Sequence, residues 1–279
     1  MIKRIIVALD SDSDTQVATR HAIEIAERTG AQVTGLAVVD TQSIDSSARG
    51  GGIGSFYYAE KLREKLTEES RAVAMQLVDR FQEHVEGHDV SYVESVEEGV
   101  PFERIIEDLK YHDMLIIGKD PHFFYAHPKK ETHTLARVVK NTISPTLIVG
   151  DSYCNIKNVL IAFDGSPAAA KTVQRLVQLR PFGDEININV LNVHHKESSE
   201  SHLVLELITK YLAAHGFDAK TRSMDGRSPE KEIIAYAEEI EADIIVAGAH
   251  AVSAIKRVTF GSTTSALINE CDIPLLVDS

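Results

Sequence analysis

The sequence predicts an α/β protein built twice: two tandem domains, each a five-stranded parallel sheet flanked by helices. Three observations predict it. Short β-branched apolar runs alternate with longer amphipathic stretches, as in βαβ units. The runs are nearly continuous in apolar residues, as strands covered on both faces should be. The same series of anchors also occurs twice in the chain.

The repeat is read from four anchors in the same order. Ile5-Ile6-Val7-Ala8-Leu9-Asp10 returns as Val159-Leu160-Ile161-Ala162-Phe163-Asp164. Glu98-Gly99-Val100-Pro101 returns as Asp225-Gly226-Arg227-Ser228-Pro229, with Ile105-Ile106 matched by Ile233-Ile234. Asp113 to Gly118 matches Asp243 to Gly248, and Pro145-Thr146-Leu147-Ile148 matches Pro274-Leu275-Leu276-Val277. The domains are therefore expected at 1–150 and 156–279, joined by a linker at Asp151 to Asn155. The first half holds about 25 more residues than the second, all before Gly99. Their expected place is Ser43 to Tyr58, where Gly50-Gly51-Gly52 and Gly54 favour a loop over a helix or strand. In the second half, strands are expected at 157–163, 186–193, 217–224, 243–247 and 274–278, and helices at 167–179, 200–215, 229–240 and 262–270. Pro229 and Pro101 suit the first turn of a helix, where a missing N–H costs nothing.

Composition narrows the function classes. The chain has 279 residues, 43% hydrophobic and 25% charged, with a net charge of -13. That balance suits an ordinary globular protein and disfavours contact with nucleic acid or an anionic membrane. The opening apolar run stops at Asp10, too short for a membrane span or secretory core. Cys154 and Cys271 show no CxxC spacing, so free thiols and a cytoplasmic location are expected.

Ligands of an open parallel sheet bind outside the carboxyl ends of the strands, where the strand order reverses. In the second half those ends carry Asp164-Gly165-Ser166-Pro167, Val193-His194-His195 and Gly248-Ala249-His250-Ala251. Small residues at 248 and 251 would let backbone amides approach a ligand. Gly261-Ser262-Thr263 opens the last helix, whose free amides and positive dipole end favour a phosphate. Lys256 and Arg257 lie between and would neutralise phosphate oxygens. Plainer readings stay open: Ser262 as a helix cap, Asp10 and Asp164 as turn residues, His250 as a ribose or phosphate neighbour or a solvated side chain.

This duplicated unit, with an Asp after its first strand and a glycine loop before its last helix, resembles the universal stress protein family over nearly the whole chain. ATP-binding members carry Gly, two residues, Gly, nine residues, Gly, then Ser or Thr. Here the pattern reads Gly248, Ala249-His250, Ala251, nine residues, Gly261-Ser262, with only the second glycine changed. The resemblance implies Rossmann-like domains of the adenine nucleotide alpha hydrolase type. It implies that Asp164 and the backbone around Val193 hold adenosine, and that Gly248, Gly261, Ser262 and Thr263 hold ribose and phosphates. An alanine at 251 costs roughly 1 kcal/mol if the position needs positive φ, and its methyl crowds the phosphates.

The first half departs further. Lys119-Asp120-Pro121-His122 follows Gly118, and Thr132-His133 stands where the second half has Gly261-Ser262. No ATP is expected there, and Phe123-Phe124-Tyr125 is expected to fill a pocket or an interface. No Walker lysine or nucleophile elbow appears, nor a carboxylate pair in the glycine loop, so an efficient ATPase is not expected. Nor does any tight HxxxH pair organise the twelve histidines for zinc. The function expected is stress response through an adenine nucleotide, ATP with or without Mg, bound by the second domain. The first domain is expected to pack against it as an intramolecular pseudo-dimer, with a homodimer left open. The alternatives are a nucleotide-independent scaffold and a slow ATP hydrolase.

Overall fold

The expected runs become strands of one sheet. In the computed structural model, described for residues 1–10, 13–48, 55–123, 125, 134–194, 199–249 and 262–278, the first half contributes β1 (Arg4–Leu9), β2 (Gln32–Asp40), β3 (Tyr92–Gly99), β4 (Met114–Gly118) and β5 (Thr146–Val149). The second half contributes β6 (Asn158–Ala162), β7 (Asn187–His194), β8 (Ala219–Asp225), β9 (Ile244–Gly248) and β10 (Leu275–Asp278). Their order is β3-β2-β1-β4-β5-β10-β9-β6-β7-β8. Each half is thus wound 3-2-1-4-5, and the order reverses between β1 and β4 and again between β6 and β9.

Within each half every pairing is parallel. The halves meet where β5 runs antiparallel to β10, with Leu147 opposite Leu276. The sheet is therefore continuous across both domains. Residues 150–157 between them carry neither helix nor strand. Side chains add to this seam: Arg28 Nη1 donates to the Pro181 carbonyl at 2.7 Å, and Lys119 Nζ to the Cys271 carbonyl at 2.9 Å. Tyr153 lies under the Arg20 guanidinium, 3.4 Å from the ring centre, and beside the buried His21 ring at 5.0 Å.

The helices are α1 (Asp14–Thr29), α2 (Thr41–Ser47), α3 (Ser55–Val85), α4 (Pro101–Leu109), α5 (Thr134–Asn141), α6 (Pro167–Leu179), α7 (Ser199–Ala214), α8 (Pro229–Glu239) and α9 (Ser262–Glu270). Two layers cover the sheet. Residues of α1, α3, α6 and α7 form one core with Ile5, Val7 and Leu9, whereas α4, α5, α8 and α9 pack on Ile6 and Ala8 from the other side. Alternate β1 residues thus point to opposite cores, which is why its sequence reads as an unbroken apolar run.

Second-half boundaries agree with the sequence expectation to within about two residues, the usual fraying of element ends. Pro101 and Pro229 each sit in the first turn of their helix.

The loop expected over Ser43 to Tyr58 is a correction. Thr41–Ser47 is helical, capped by Asp40, whose Oδ1 accepts from the Ser43 amide at 3.0 Å. Ser55 to Tyr58 begin α3, which runs 31 residues against 16 for α7. The extra length is thus largely helix. The glycine run signals a loop, whereas the spacing on its far side is helical: Leu66, Ser70, Ala74, Leu77, Phe81 and Val85 are all buried. The glycines at 50–54 themselves lie outside the described residues. Gly35 makes room for this helix, since a Cβ there would lie 2.6 Å from the Phe81 ring.

Candidate functional site

At the carboxyl ends of β6, β7 and β9 the second half opens a cavity of about 410 Å³. Its wall is apolar: Ala162, Leu191, Val193, Ile233 and Ala247. Its mouth carries Asp164, Ser166, Gly248, Thr263 and Thr264. An apolar slot with a few convergent polar groups is the usual build of a small-molecule site.

Local chemistry places each group. β6 ends in a turn where Gly165 takes φ 79° and the Ser166 amide donates to Asp164 Oδ1 at 2.9 Å. Ser166 then caps α6, its hydroxyl accepting from the Ala169 amide at 3.2 Å, with Pro167 next. Asp164 is held at an exposed rim rather than in the core. Asn192 is buried and donates to the Phe163 carbonyl at 2.8 Å, fixing the end of β6 against β7 and bringing Val193 to the slot.

Gly248 lines the cavity, but the need for glycine there has a second cause. An added Cβ would overlap the Ala169 backbone nitrogen and come within 2.7 Å of the Ala168 carbonyl carbon. The helix α6 packs directly on the end of β9. The Gly248 carbonyl accepts from the Thr264 hydroxyl at 3.3 Å, and the Ala249 amide donates to the Asp278 carbonyl at 2.9 Å. The neighbouring Asp278 carboxylate is fully buried, with Lys171 at 3.2 Å and Arg175 at 3.5 Å, so its charge is compensated beside the proposed phosphate side of the slot.

Of the residues singled out in the sequence, Asp164, Val193, Gly248 and Thr263 come together around this cavity. Ser262 begins α9, though its side chain is not among the described positions. His250, Ala251, Lys256, Arg257 and Gly261 lie outside the described residues. The sequence reading did not single out Ala162, Leu191, Ile233, Ala247, Ser166 or Thr264 as site residues. The repeat held the signal for three of them: Ala162, Ile233 and Ala247 stand in the anchors that also contain Ala8, Ile105 and Ile117.

The corresponding place in the first half is built differently. Asp10 is 1% exposed; its Oδ1 accepts from the Thr15 hydroxyl at 2.7 Å and its Oδ2 from the His122 amide at 3.1 Å. Phe123 is equally buried and belongs to the core that contains Ala8, Leu36, Val38, Ile105 and Ile117. The Tyr125 hydroxyl donates to the Leu9 carbonyl at 3.2 Å, and burial followed by the Asp10 charge pushes its pKa well above the usual range. Phe124 is not among the described residues.

Among the described residues no three His, Cys, Asp or Glu side chains come together to hold a metal, and no helix is long and apolar enough to cross a membrane. His194 pairs through Nε2 with Ser223 Oγ at 2.9 Å.

Fold and cavity define a class: tandem α/β domains with a cavity at the switch point of the sheet. The chain belongs to the Universal stress protein family, which it matches over residues 1–149 and 155–278. It is 23% identical to Universal stress protein Slr1230 of Synechocystis over 99% of both chains. A shorter stretch, 30% of this chain and 51% of the relative, is 34% identical to Universal stress protein MJ0577 of Methanocaldococcus jannaschii. Among solved structures, a universal stress protein from Archaeoglobus fulgidus superposes with a TM-score of 0.71 at 16% identity, covering 99% of this chain and 98% of the other.

Proposed function

We propose that the C-terminal domain, residues 156–279, binds an adenine nucleotide and that the protein acts as a nucleotide-dependent regulator in a stress response. The observation that carries this reading is the cavity of about 410 Å³ with an apolar wall and a hydroxyl-lined mouth. Its size falls within the range of small-molecule sites. A purine fits the wall of Leu191, Val193 and Ile233, where burial of a flat apolar ring supplies most of the affinity. Asp164 and the Val193 backbone provide the polar contacts of a nucleoside. The start of α9, with Thr263 and Thr264, faces the phosphate side with the positive end of the helix dipole. ATP is the nucleotide the motif favours. A magnesium ion would be carried on the phosphates, since the described lining offers Asp164 as its acidic side chain.

The domain at 1–150 is read as a partner without nucleotide, joined to the second as a pseudo-dimer through β5 and β10. The protein is read as cytoplasmic, with a homodimer as a further level of assembly. Regulation rather than turnover is the reading favoured by a lining that is mostly an apolar wall and hydroxyls, with Asp164 as its acidic side chain. Ligand binding would favour one conformation of the folded protein and so shift an interaction surface.

A thermal-shift series on nucleotide-free protein tests this. ATP at millimolar concentration raises Tm by several degrees in the wild type, by mass action on the folded state. Asp164→Ala shows a markedly smaller shift. Equal shifts in both proteins, or none in either, contradict the reading.

A further inference from the structure

We propose that His122, Phe123 and Tyr125 form a built-in occupant of the first domain's ligand slot, taking the positions of a nucleoside. The proposal rests on the reading of Asp164 and Val193 as nucleoside contacts in the second domain. Strand register gives the correspondence. Ile5 opposite Val33 matches Val159 opposite Ile188, which sets Asp10 against Asp164 and Val38 against Val193. Val7 opposite Ile116 matches Ile161 opposite Val246, which sets Gly118 against Gly248.

Each of the slot's contacts is met from inside the chain. The His122 amide donates to Asp10 Oδ2 at 3.1 Å, where Asp164 would meet a ligand. The Tyr125 hydroxyl hydrogen-bonds with the Val38 backbone and donates to the Leu9 carbonyl at 3.2 Å, the counterpart of the Val193 contact. Phe123, 1% exposed, shares a core with Ala8, Leu36, Val38, Ile105 and Ile117, the counterparts of the five apolar wall residues of the open cavity. One amide, one ring and one hydroxyl thus replace a ligand's polar contact, base and second polar contact.

The contacts met from inside the chain are those of a nucleoside, so an emptied slot accepts an uncharged nucleoside. In the intact chain the slot is filled at every ligand concentration, so a rise in nucleotide acts on one half of the sheet alone.

The test uses the full chain carrying Phe123→Ala and Tyr125→Ala together. Its Tm falls by roughly 6 to 10 °C, the effect of an emptied aromatic site in a protein of this size. Calorimetry with adenosine then counts one more site per chain than in the wild type. Phe123→Leu keeps the slot filled and gains no site. Should the double variant fail to fold, Tyr125→Phe, which removes only the hydroxyl, loses about 3 °C. A folded double variant with an unchanged Tm or no additional adenosine site overturns the proposal, as does an unchanged Tm in Tyr125→Phe. Because the readout is the difference between variant and wild type, it stands even if the second domain binds nothing.

Discussion

Thr264 and Gly248 are tied across sixteen residues by a hydrogen bond from the Thr264 hydroxyl to the Gly248 carbonyl, 3.3 Å long. The bond joins the end of β9 to the first turn of α9, the two elements that flank the proposed phosphate side of the cavity. Thr264→Val keeps the shape and removes the donor. The expected result is a loss of about 1 kcal/mol in urea unfolding and ATP binding weaker by several-fold, read by calorimetry. Unchanged affinity would show that the bond does not hold the site in shape.

Gly248 allows no side chain, because its Cβ direction runs into the backbone of Ala168 and Ala169. Gly248→Ala forces α6 away from the sheet and is expected to cost about 1 to 3 kcal/mol, the usual range for overpacking. Nucleotide binding is expected to fall with it, since α6 begins at the Asp164-Ser166 turn. Equilibrium unfolding of the variant beside the wild type reads the first effect and titration the second.

His21 makes the seam between domains sensitive to acid. Burial, with help from the adjacent Arg20 charge, lowers its pKa from 6.5 to about 4. A base with a depressed folded pKa is protonated first in the unfolded chain. Stability is therefore full above pH 6.5 and declines as pH falls toward 4, by up to about 3 kcal/mol for this group. The groups that face it are Arg20, the Tyr153 ring and, through Tyr153, Glu24. Chemical unfolding at pH 7 and pH 4.5 measures the slope, and His21→Gln flattens the part due to this group.

Both thiols are expected to be sluggish. Burial pushes the Cys154 pKa up to about 11 and raises that of Cys271, so little thiolate exists at pH 8. Iodoacetamide labelling of the native protein should be far slower than of the urea-unfolded chain, as followed by intact mass. Native labelling at the unfolded rate would contradict the packing around Asp243 and Lys119.

Much of this architecture can be read from the residues themselves. Strands such as Val159 to Ala162 are buried between two helical layers, so their apolar runs stand out, and the repeat fixes their order. The insertion could not be read so simply, because its glycines signal a turn while the capping Asp40 and the spacing from Leu66 to Val85 signal helices. In the site, glycine and hydroxyl positions were legible from the phosphate motif. The apolar wall was not, because Leu191 and Ile233 look like any other core residue until the sheet order leaves a gap between them. The engagement of Asp10 by His122 likewise depends on a contact between residues far apart in sequence, which no local pattern announces.

The most direct measurement is titration calorimetry of nucleotide-free full-length protein with ATP. One site per chain, lost in Gly248→Ala and unaffected by Tyr125→Phe, is the result expected if the second domain alone binds nucleotide. Two sites per chain, or no heat of binding at millimolar ATP, would contradict it.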